Sequence, residues 1–555
     1  MTGSVRDRGC DLLVRSLAAA GVRKIFTLSG NHIMPIFDAV IGSGIELVHT
    51  RHEASAVHMA DAWSRITGEV GIALVTGGPG HANAVSALYT AQMAEAAVVL
   101  LSGHAPNDQA GRGAFQEMRQ VEMAAPVTKA AWTCAGPEHV AADLARAIRT
   151  ARSGRPGPVH LSLPTDTLER PAPIETPDAA AFMPGTMPLN KGVTAHLLRR
   201  LEAAQRPLVL VGPACMTRPG RARMAALEAA IGVPVVGMES PRGIADASLG
   251  DFAQMLAEAD CIVLVGKRLD FTLRFGQAPA FPAAAEVHQV DADAAEFERT
   301  RRALGARLQT TAQSDASSSL TALTALTALT ALTAAATSAP PSNARAAWLA
   351  EVRSAILYRP AAWDTASSAV PGRLHPVQML RPLQALLDSH ADSVLVCDGG
   401  EIGQWAMACL SAPHRVNNGV AGAIGSGLPY ALAARCAVAE APVVAVMGDG
   451  TVGFHIAEFD TAVRHDLGFV AAIGNDARWN AEYQIQLRDY GAERLVGCEL
   501  RETRYDAVAQ AFGGHGELVT APAEMAAAVA RAQASGLPAC VNVMIEGVAA
   551  PVIRR

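Results

Sequence analysis

Short apolar runs closed by glycine or aspartate recur along this chain and limit its fold more than any other feature. RPLVLVG (206–212), DCIVLVGKRLD (260–270), SVLVCDGG (393–400), APVVAVMGDG (441–450) and GFVAAIGND (468–476) are apolar at consecutive positions, not alternate ones. Runs this short with no polar face read as strands covered on both sides, the situation of parallel strands flanked by crossover helices. The chain is therefore expected to be an α/β protein with parallel sheets.

Strand and helix signals alternate in three series. The first has helical spacing over 11–20 and strands at 24–28, 45–49, 71–76 and 98–102, and the Pro-rich stretch RPAPIETPD from Arg170 closes it as a linker. The second runs from 206 to 293 without a G-x-G-x-x-G, which reads as a structural central domain with no dinucleotide site. The third starts near His375, with a Gly-rich helix start at 422–427. From Leu320 the triplet Leu-Thr-Ala repeats five times and AATSAPPS follows. A period of three fits neither helix nor strand and suggests a low-complexity linker. The expected organisation is three doubly wound parallel-sheet domains at 1–172, 190–318 and 366–555, with 319–365 as linker and connecting segment. A chain of 555 residues is long enough for roughly three to four such units.

Charge narrows the function. The net charge of −6, without long runs of one sign, leaves no electrostatic footprint for nucleic acid or an anionic membrane. No apolar run approaches membrane-spanning length, and the first residues carry charges where a signal peptide needs an apolar stretch. The expectation is a soluble cytoplasmic protein acting on a small molecule. The nine cysteines form no C-x-x-C pair and read as reduced core residues, with neither a disulfide framework nor a zinc site.

Ligands of doubly wound sheets bind at the carboxyl ends of the strands. Gly448-Asp449-Gly450-Thr451 stands at one such end. Its glycines allow close approach of a phosphate, the following helix offers N–H groups, and the aspartate can hold a hard divalent cation; alone, the same residues also read as a tight turn. Asn475-Asp476 closes the next strand and adds a second oxygen ligand at the same edge.

Together these residues, GDGTVGFHIAEFDTAVRHDLGFVAAIGND, resemble the diphosphate-binding motif of thiamine diphosphate enzymes. Far upstream, TRHEASAVHMADAWSRITGEVGIALVTGGPGHANAV (50–85) resembles the pyrimidine-binding domain of the same superfamily. The likeness extends over nearly the whole chain, through LSGNHIMPIFD, EMAAPVTKA, AEFDTAVR and AVAQAFGGHG. It falls in the acetolactate synthase-like branch, nearest to benzaldehyde lyase. The resemblance implies thiamine diphosphate and Mg²⁺ as cofactors, and a homodimer or homotetramer in which Glu53 of one subunit meets Asp449 of another.

Residue by residue, Glu53 matches the glutamate that protonates the cofactor's pyrimidine ring, which readies the thiazolium C2 position for attack on a carbonyl. Gly422 matches the residue whose carbonyl holds the exocyclic amine, and Ile424 the apolar wedge that keeps the cofactor bent. His32 coincides with an active-site histidine able to relay a proton, or else is a helix-start histidine satisfied by its own turn. Gln116 looks like a neutral donor for a developing alkoxide. Trp405 and Trp479 align near the substrate pocket, although buried tryptophans are often only packing. Asp449 is the first metal ligand. Asp476 stands where the family has asparagine, with Asn475 one step before it, so either side chain qualifies as the second ligand; the carbonyl of Arg478 would be the third.

Two departures weigh against a biosynthetic acetolactate synthase. Ile485 occupies a tryptophan position, and the Met-His-Gly stretch of a flavin-binding middle domain is missing, so FAD is not expected. The expected activity is a C–C lyase or carboligase for acyloins, 2-hydroxyacyl compounds or 2-oxo acids. The alternatives are acetolactate synthase or another 2-oxo acid decarboxylase, and, in a different class, a non-catalytic cofactor-binding protein.

Overall fold

The computed structural model describes residues 7–173, 175–333 and 343–555. Three parallel sheets form in chain order. The first contains β1 (Lys24–Thr27), β2 (Glu46–His49), β3 (Gly71–Val75), β4 (Val98–His104), β5 (Ala130–Thr133) and β6 (Val159–Pro164), in the order β2-β1-β3-β4-β6-β5. The central sheet contains β7 (Pro207–Val211), β8 (Val235–Gly237), β9 (Cys261–Val265), β10 (Glu286–Asp291) and β11 (Leu308–Gln313), in the order β11-β10-β9-β7-β8. The third contains β12 (Val394–Cys397), β13 (His414–Asn417), β14 (Val443–Gly448), β15 (Val470–Asn475), β16 (His515–Val519) and β17 (Ala539–Met544), in the order β13-β12-β14-β15-β17-β16. First and third sheets thus share one strand order. Every ladder in the three sheets is parallel, as the unbroken apolar runs require. β3, β7 and β9 are buried at every residue.

The Leu-Thr-Ala repeat corrects the linker expectation. Residues Ala316–Thr333 form one helix, and Leu320 and Leu323 are fully buried in the central domain's core. A leucine every third residue advances about 300° per repeat on a helix of 3.6 residues per turn, so the apolar stripe slants backwards around the axis. The first two leucines therefore face the core, whereas Leu329 is 58% exposed. Thr321, Thr324 and Thr327 return their hydroxyls to carbonyls four residues back, which removes the polar objection to a threonine-rich helix. The helix Asn343–Leu357 also belongs to the central core: Trp348 is buried and donates its indole N–H to the Pro207 carbonyl. The stretch AATSAPPS lies outside the described residues. Among those described, no helix is long and apolar enough to cross a membrane.

A buried ion cluster ties the three domains together. Glu239 of the central domain faces Arg65 of the first at 3.6 Å, Arg221 of its own domain at 3.1 Å and Arg415 of the third at 3.2 Å. The three guanidiniums hold the Glu239 carboxyl below its ordinary range despite complete burial. Beside it, Tyr430 donates to Asp61 at 2.6 Å, where the helix Glu53–Thr67 packs along the helix Gly427–Ala437.

Candidate active site

Glu53 is the first residue of the helix Glu53–Thr67, whose N-cap is His52. A carboxylate at that end is favoured by the helix dipole. Glu53 is 9% exposed, and its Oε2 accepts from Asn83 Nδ2 at 3.1 Å. Its Oε1 lies over Gly80, where a Cβ would come within 3.3 Å of it and within 2.7 Å of Thr76. His32 is 3% exposed, with Nδ1 3.2 Å from Thr76 Oγ1 and its ring stacked on exposed Phe115 at 6.1 Å. Burial lowers its pKa, which keeps the imidazole neutral at pH 7. Gln116 sits at φ +57° against Gly78, and its Oε1 is buried with no hydrogen-bond partner among the described residues. Glu53, His32 and Gln116 are thus gathered around the segment 76–80. Sequence reasoning passed over Thr76, Gly80 and Asn83, although all three lie within the quoted TGGPGHAN.

The second cluster lies at the ends of β12, β14 and β15. Asp449 opens a single helical turn, Asp449–Val452, shorter than the helix expected there. Tyr505 donates to its carbonyl at 2.9 Å, and Thr451 Oγ1 accepts from the Gly448 N–H at 3.1 Å. Gly450 has no room for a side chain, since a Cβ would lie 2.6 Å from the Trp479 ring. Asp476 faces Asp449 after a left-handed turn at Ala477, φ +58°. Burial raises Asp449 to about 6, and burial followed by the Asp449 charge raises Asp476 to about 8. Asn475 is differently occupied: its amide donates to the Thr503 carbonyl at 3.0 Å and to Asn542 Oδ1 at 3.2 Å. Two facing buried carboxyls, with Asp449 Oδ2 lacking any protein partner among the described residues, form a donor set suited to a hard divalent cation. The tight glycines alongside suit a phosphate.

Asp398, at the end of β12, builds the neighbouring wall. Its carboxylate accepts from the amides of Gly399 (2.7 Å), Gly425 (3.1 Å) and Gly427 (3.0 Å) and so fastens the Gly-rich loop to the sheet. Burial still raises it to about 6. Ile424 projects from this loop over Gly399, where a Cβ would be 2.5 Å from its methyl group. Gly422 makes the loop's left-handed turn at φ +66°, donating to the Gly419 carbonyl at 3.1 Å. The resulting cleft is lined by Gly399, Ile402, Ile424, Asp449, Asp476 and Trp479 among others, all from the third domain. Glu53, His32 and Gln116 are not in its wall. Nor is Trp405, which packs between Trp363 and His375 and donates to the Ala549 carbonyl at 2.9 Å.

Comparisons with known proteins agree along the whole chain. Residues 7–123 match the family model described as the thiamine pyrophosphate enzyme N-terminal TPP binding domain, 194–323 its central domain and 398–543 its C-terminal TPP binding domain. A probable acetolactate synthase of Mycobacterium bovis is 33% identical over 549 residues, covering 96% of this chain and 95% of that protein. The 2-hydroxyacyl-CoA lyase 2 of Homo sapiens is 31% identical over 569 residues, covering 93% and 86%. The fold is shared with a thiamine diphosphate-dependent 4-hydroxybenzoylformate decarboxylase of Rhodococcus jostii RHA1, with a TM-score of 0.80 at 20% identity over 98% and 99% of the two chains. A glutamate seated on a Gly-Pro-Gly turn, a carboxylate pair at the far strand ends and matches in all three domains lead to one conclusion: the chain belongs to the acetolactate synthase-like thiamine diphosphate enzymes and is a thiamine diphosphate-dependent lyase or carboligase.

Proposed function

We propose that this enzyme uses thiamine diphosphate with Mg²⁺ to cleave or join C–C bonds next to a carbonyl, in acyloins, 2-hydroxyacyl compounds or 2-oxo acids. The observation that carries the reading is the pairing of a seated Glu53 in the first domain with the facing carboxyls of Asp449 and Asp476 in the third. When bound, the cofactor supplies a carbon nucleophile and a sink for negative charge. Asp449, Asp476 and the Arg478 carbonyl would hold the metal, and the Gly448–Thr451 turn would receive the phosphates. Glu53, its carboxylate fixed by Asn83, is the group that would hold or give up a proton towards the cofactor's pyrimidine ring. Gly422 would offer its carbonyl to the cofactor's exocyclic amine, and Ile424, over Gly399, would pack against the cofactor.

The neutral imidazole of His32 takes or returns the substrate hydroxyl proton, with Thr76 setting its orientation. Gln116 offers its amide to the oxygen that gains charge. Trp479 borders the substrate space. The cleft holding Asp449 has no first-domain residue in its wall, which supports a homodimer or homotetramer whose Glu53 serves a neighbouring subunit's cleft. Two relatives bear the names acetolactate synthase and 2-hydroxyacyl-CoA lyase, so the decisive assay covers both chemistries. Native mass spectrometry should find thiamine diphosphate and Mg²⁺, and a panel of acyloins, 2-hydroxyacyl thioesters and 2-oxo acids should yield aldehyde or ligation product from the first two classes. Carbon dioxide release from pyruvate, with no cleavage of acyloins or hydroxyacyl thioesters, would move the assignment to acetolactate synthase.

A further inference from the structure

The central sheet carries a group of side chains that this chemistry does not use. Cys261 opens β9, Glu286 opens β10, and the two are register partners; His288 follows two residues later in β10. Side chains two apart in a strand leave on the same face, so all three point towards the helix Lys191–Ala203, which brings His196 and Arg200 over them. The Cys261 sulfur, a Glu286 oxygen and a His288 nitrogen all lie within 4.8 Å of one another. Glu286 Oε2 and His288 Nε2 are 3.7 Å apart, inside the about 3.3–3.8 Å between neighbouring ligands of a tetrahedral zinc ion.

His288 supplies the independent sign of a missing ligand. It is 0% exposed, and neither ring nitrogen has a hydrogen-bond partner among the described residues. Such a polar group in a dry core is destabilising unless something satisfies it. His196 stands with its ring 5.9 Å from that of His288, oriented by a 3.2 Å contact between its Nε2 and Thr310 Oγ1. Arg200 meanwhile grips Glu286 with Nε at 3.0 Å from Oε2 and with a second nitrogen. This pair is partly exposed and neutralises the carboxylate when no cation is bound.

We propose that Cys261, Glu286 and His288 form a site for a borderline-soft divalent cation of the Zn²⁺ type, with His196 or a water as fourth ligand. On binding, the Cys261 thiol gives its proton to solvent as the sulfur–metal bond forms, and Glu286 trades one Arg200 contact for the metal. The ion joins the starts of β9 and β10 beneath the covering helix. The site is distinct from the Mg²⁺ centre in ligand type: thiolate and imidazole suit zinc, whereas paired carboxylates suit magnesium.

The test uses the full chain loaded with thiamine diphosphate and Mg²⁺, titrated with Co²⁺ and then with Zn²⁺. One equivalent of Co²⁺ should develop a thiolate-to-cobalt absorption band, which Zn²⁺ then abolishes. Cys261→Ser should lose the band, and His288→Gln should weaken Co²⁺ binding at least tenfold, both with unchanged lyase or carboligase turnover. Absence of the band in the wild type, or its persistence at wild-type strength in both variants, overturns the proposal by assigning the metal to other groups or to none. If Cys261→Ser does not fold, the His288→Gln titration decides alone.

Discussion

Replacing Asp476 and Asn475 by alanine, one at a time, should separate holding the metal from holding the fold. Asn475 is fully buried, and its side chain makes three hydrogen bonds, to the Thr503 carbonyl, to Asn542 Oδ1 and from the Ala477 N–H. At about 1 kcal/mol each, their loss makes Asn475→Ala about 3 kcal/mol less stable, and the folded variant keeps its Mg²⁺ affinity within about tenfold. Asp476 instead is a buried carboxyl beside Asp449, pushed up to about 8 by burial and by that neighbour's charge, so removing it takes away a poorly solvated group, and stability without cofactor should stay within about 1 kcal/mol of wild type. Losing a group that only supports a metal ligand already costs about 10–100-fold in affinity. Losing the ligand itself should therefore raise the Mg²⁺ requirement of Asp476→Ala at least about a hundredfold. Asp476→Asn keeps an oxygen in place and should stay within about tenfold of wild type. The assay is turnover against Mg²⁺ at saturating thiamine diphosphate after chelator treatment, alongside thermal unfolding of the cofactor-free proteins. A large Mg²⁺ defect in Asn475→Ala together with a small one in Asp476→Ala would refute the assignment.

Glu53→Gln should leave folding and diphosphate binding intact while reducing turnover about 10²–10⁴-fold, the usual weight of general acid–base assistance; activity within a few-fold of wild type would remove Glu53 from the mechanism. Purified protein should show no flavin absorbance, and added FAD should leave the rate unchanged; a stoichiometric flavin recovered on denaturation would revive acetolactate synthase. Burial holds His58 at about 3 and His81 at about 4, so the unfolded chain binds protons that the folded one refuses. Their contribution is complete above about pH 6.5 and falls as pH drops towards 4, by about 1.4 kcal/mol per pH unit for each histidine. The unfolding midpoint should decline over that range, with a shallower slope in His81→Asn; parallel slopes would exclude the histidine as a source.

VVAVM before Gly448 could be read from sequence as a strand buried on both faces, whereas β6 and β17, buried at every residue, were passed over. β16 went unread because HGELV is mostly part-exposed and mixes polar with apolar residues. β13 went unread for a related reason, since HRVN carries His414, which faces Asp392 of its own domain, and Arg415, whose partner Glu239 lies across the domain junction. The Leu-Thr-Ala helix was misread because a period of three matches neither helix nor strand, whereas a slanting stripe needs only its first two leucines against a core. At the site, motif residues such as Glu53 and Asp449 were legible. Thr76, Asn83 and Asp398 were not, because their work is to hold other residues in place, and that depends on which loops meet. Of the two readings of Trp405, substrate neighbour or packing, sequence could not weigh the second, because its ring partner Trp363 comes from a distant stretch.

The shared strand order of the first and third sheets bears on how such a chain could arise and how it could be cut. Doubling one six-stranded unit would yield two crevices of identical topology, after which only the loops at the strand ends need diverge: one carries Glu53, the other the Asp449–Asp476 pair. The five-stranded central sheet has its own order and lies between the two in the chain. No strand is exchanged among the three sheets. A break in the backbone between units therefore severs no ladder, and the first unit and the remainder, made as two polypeptides, retain every sheet hydrogen bond needed to reassemble.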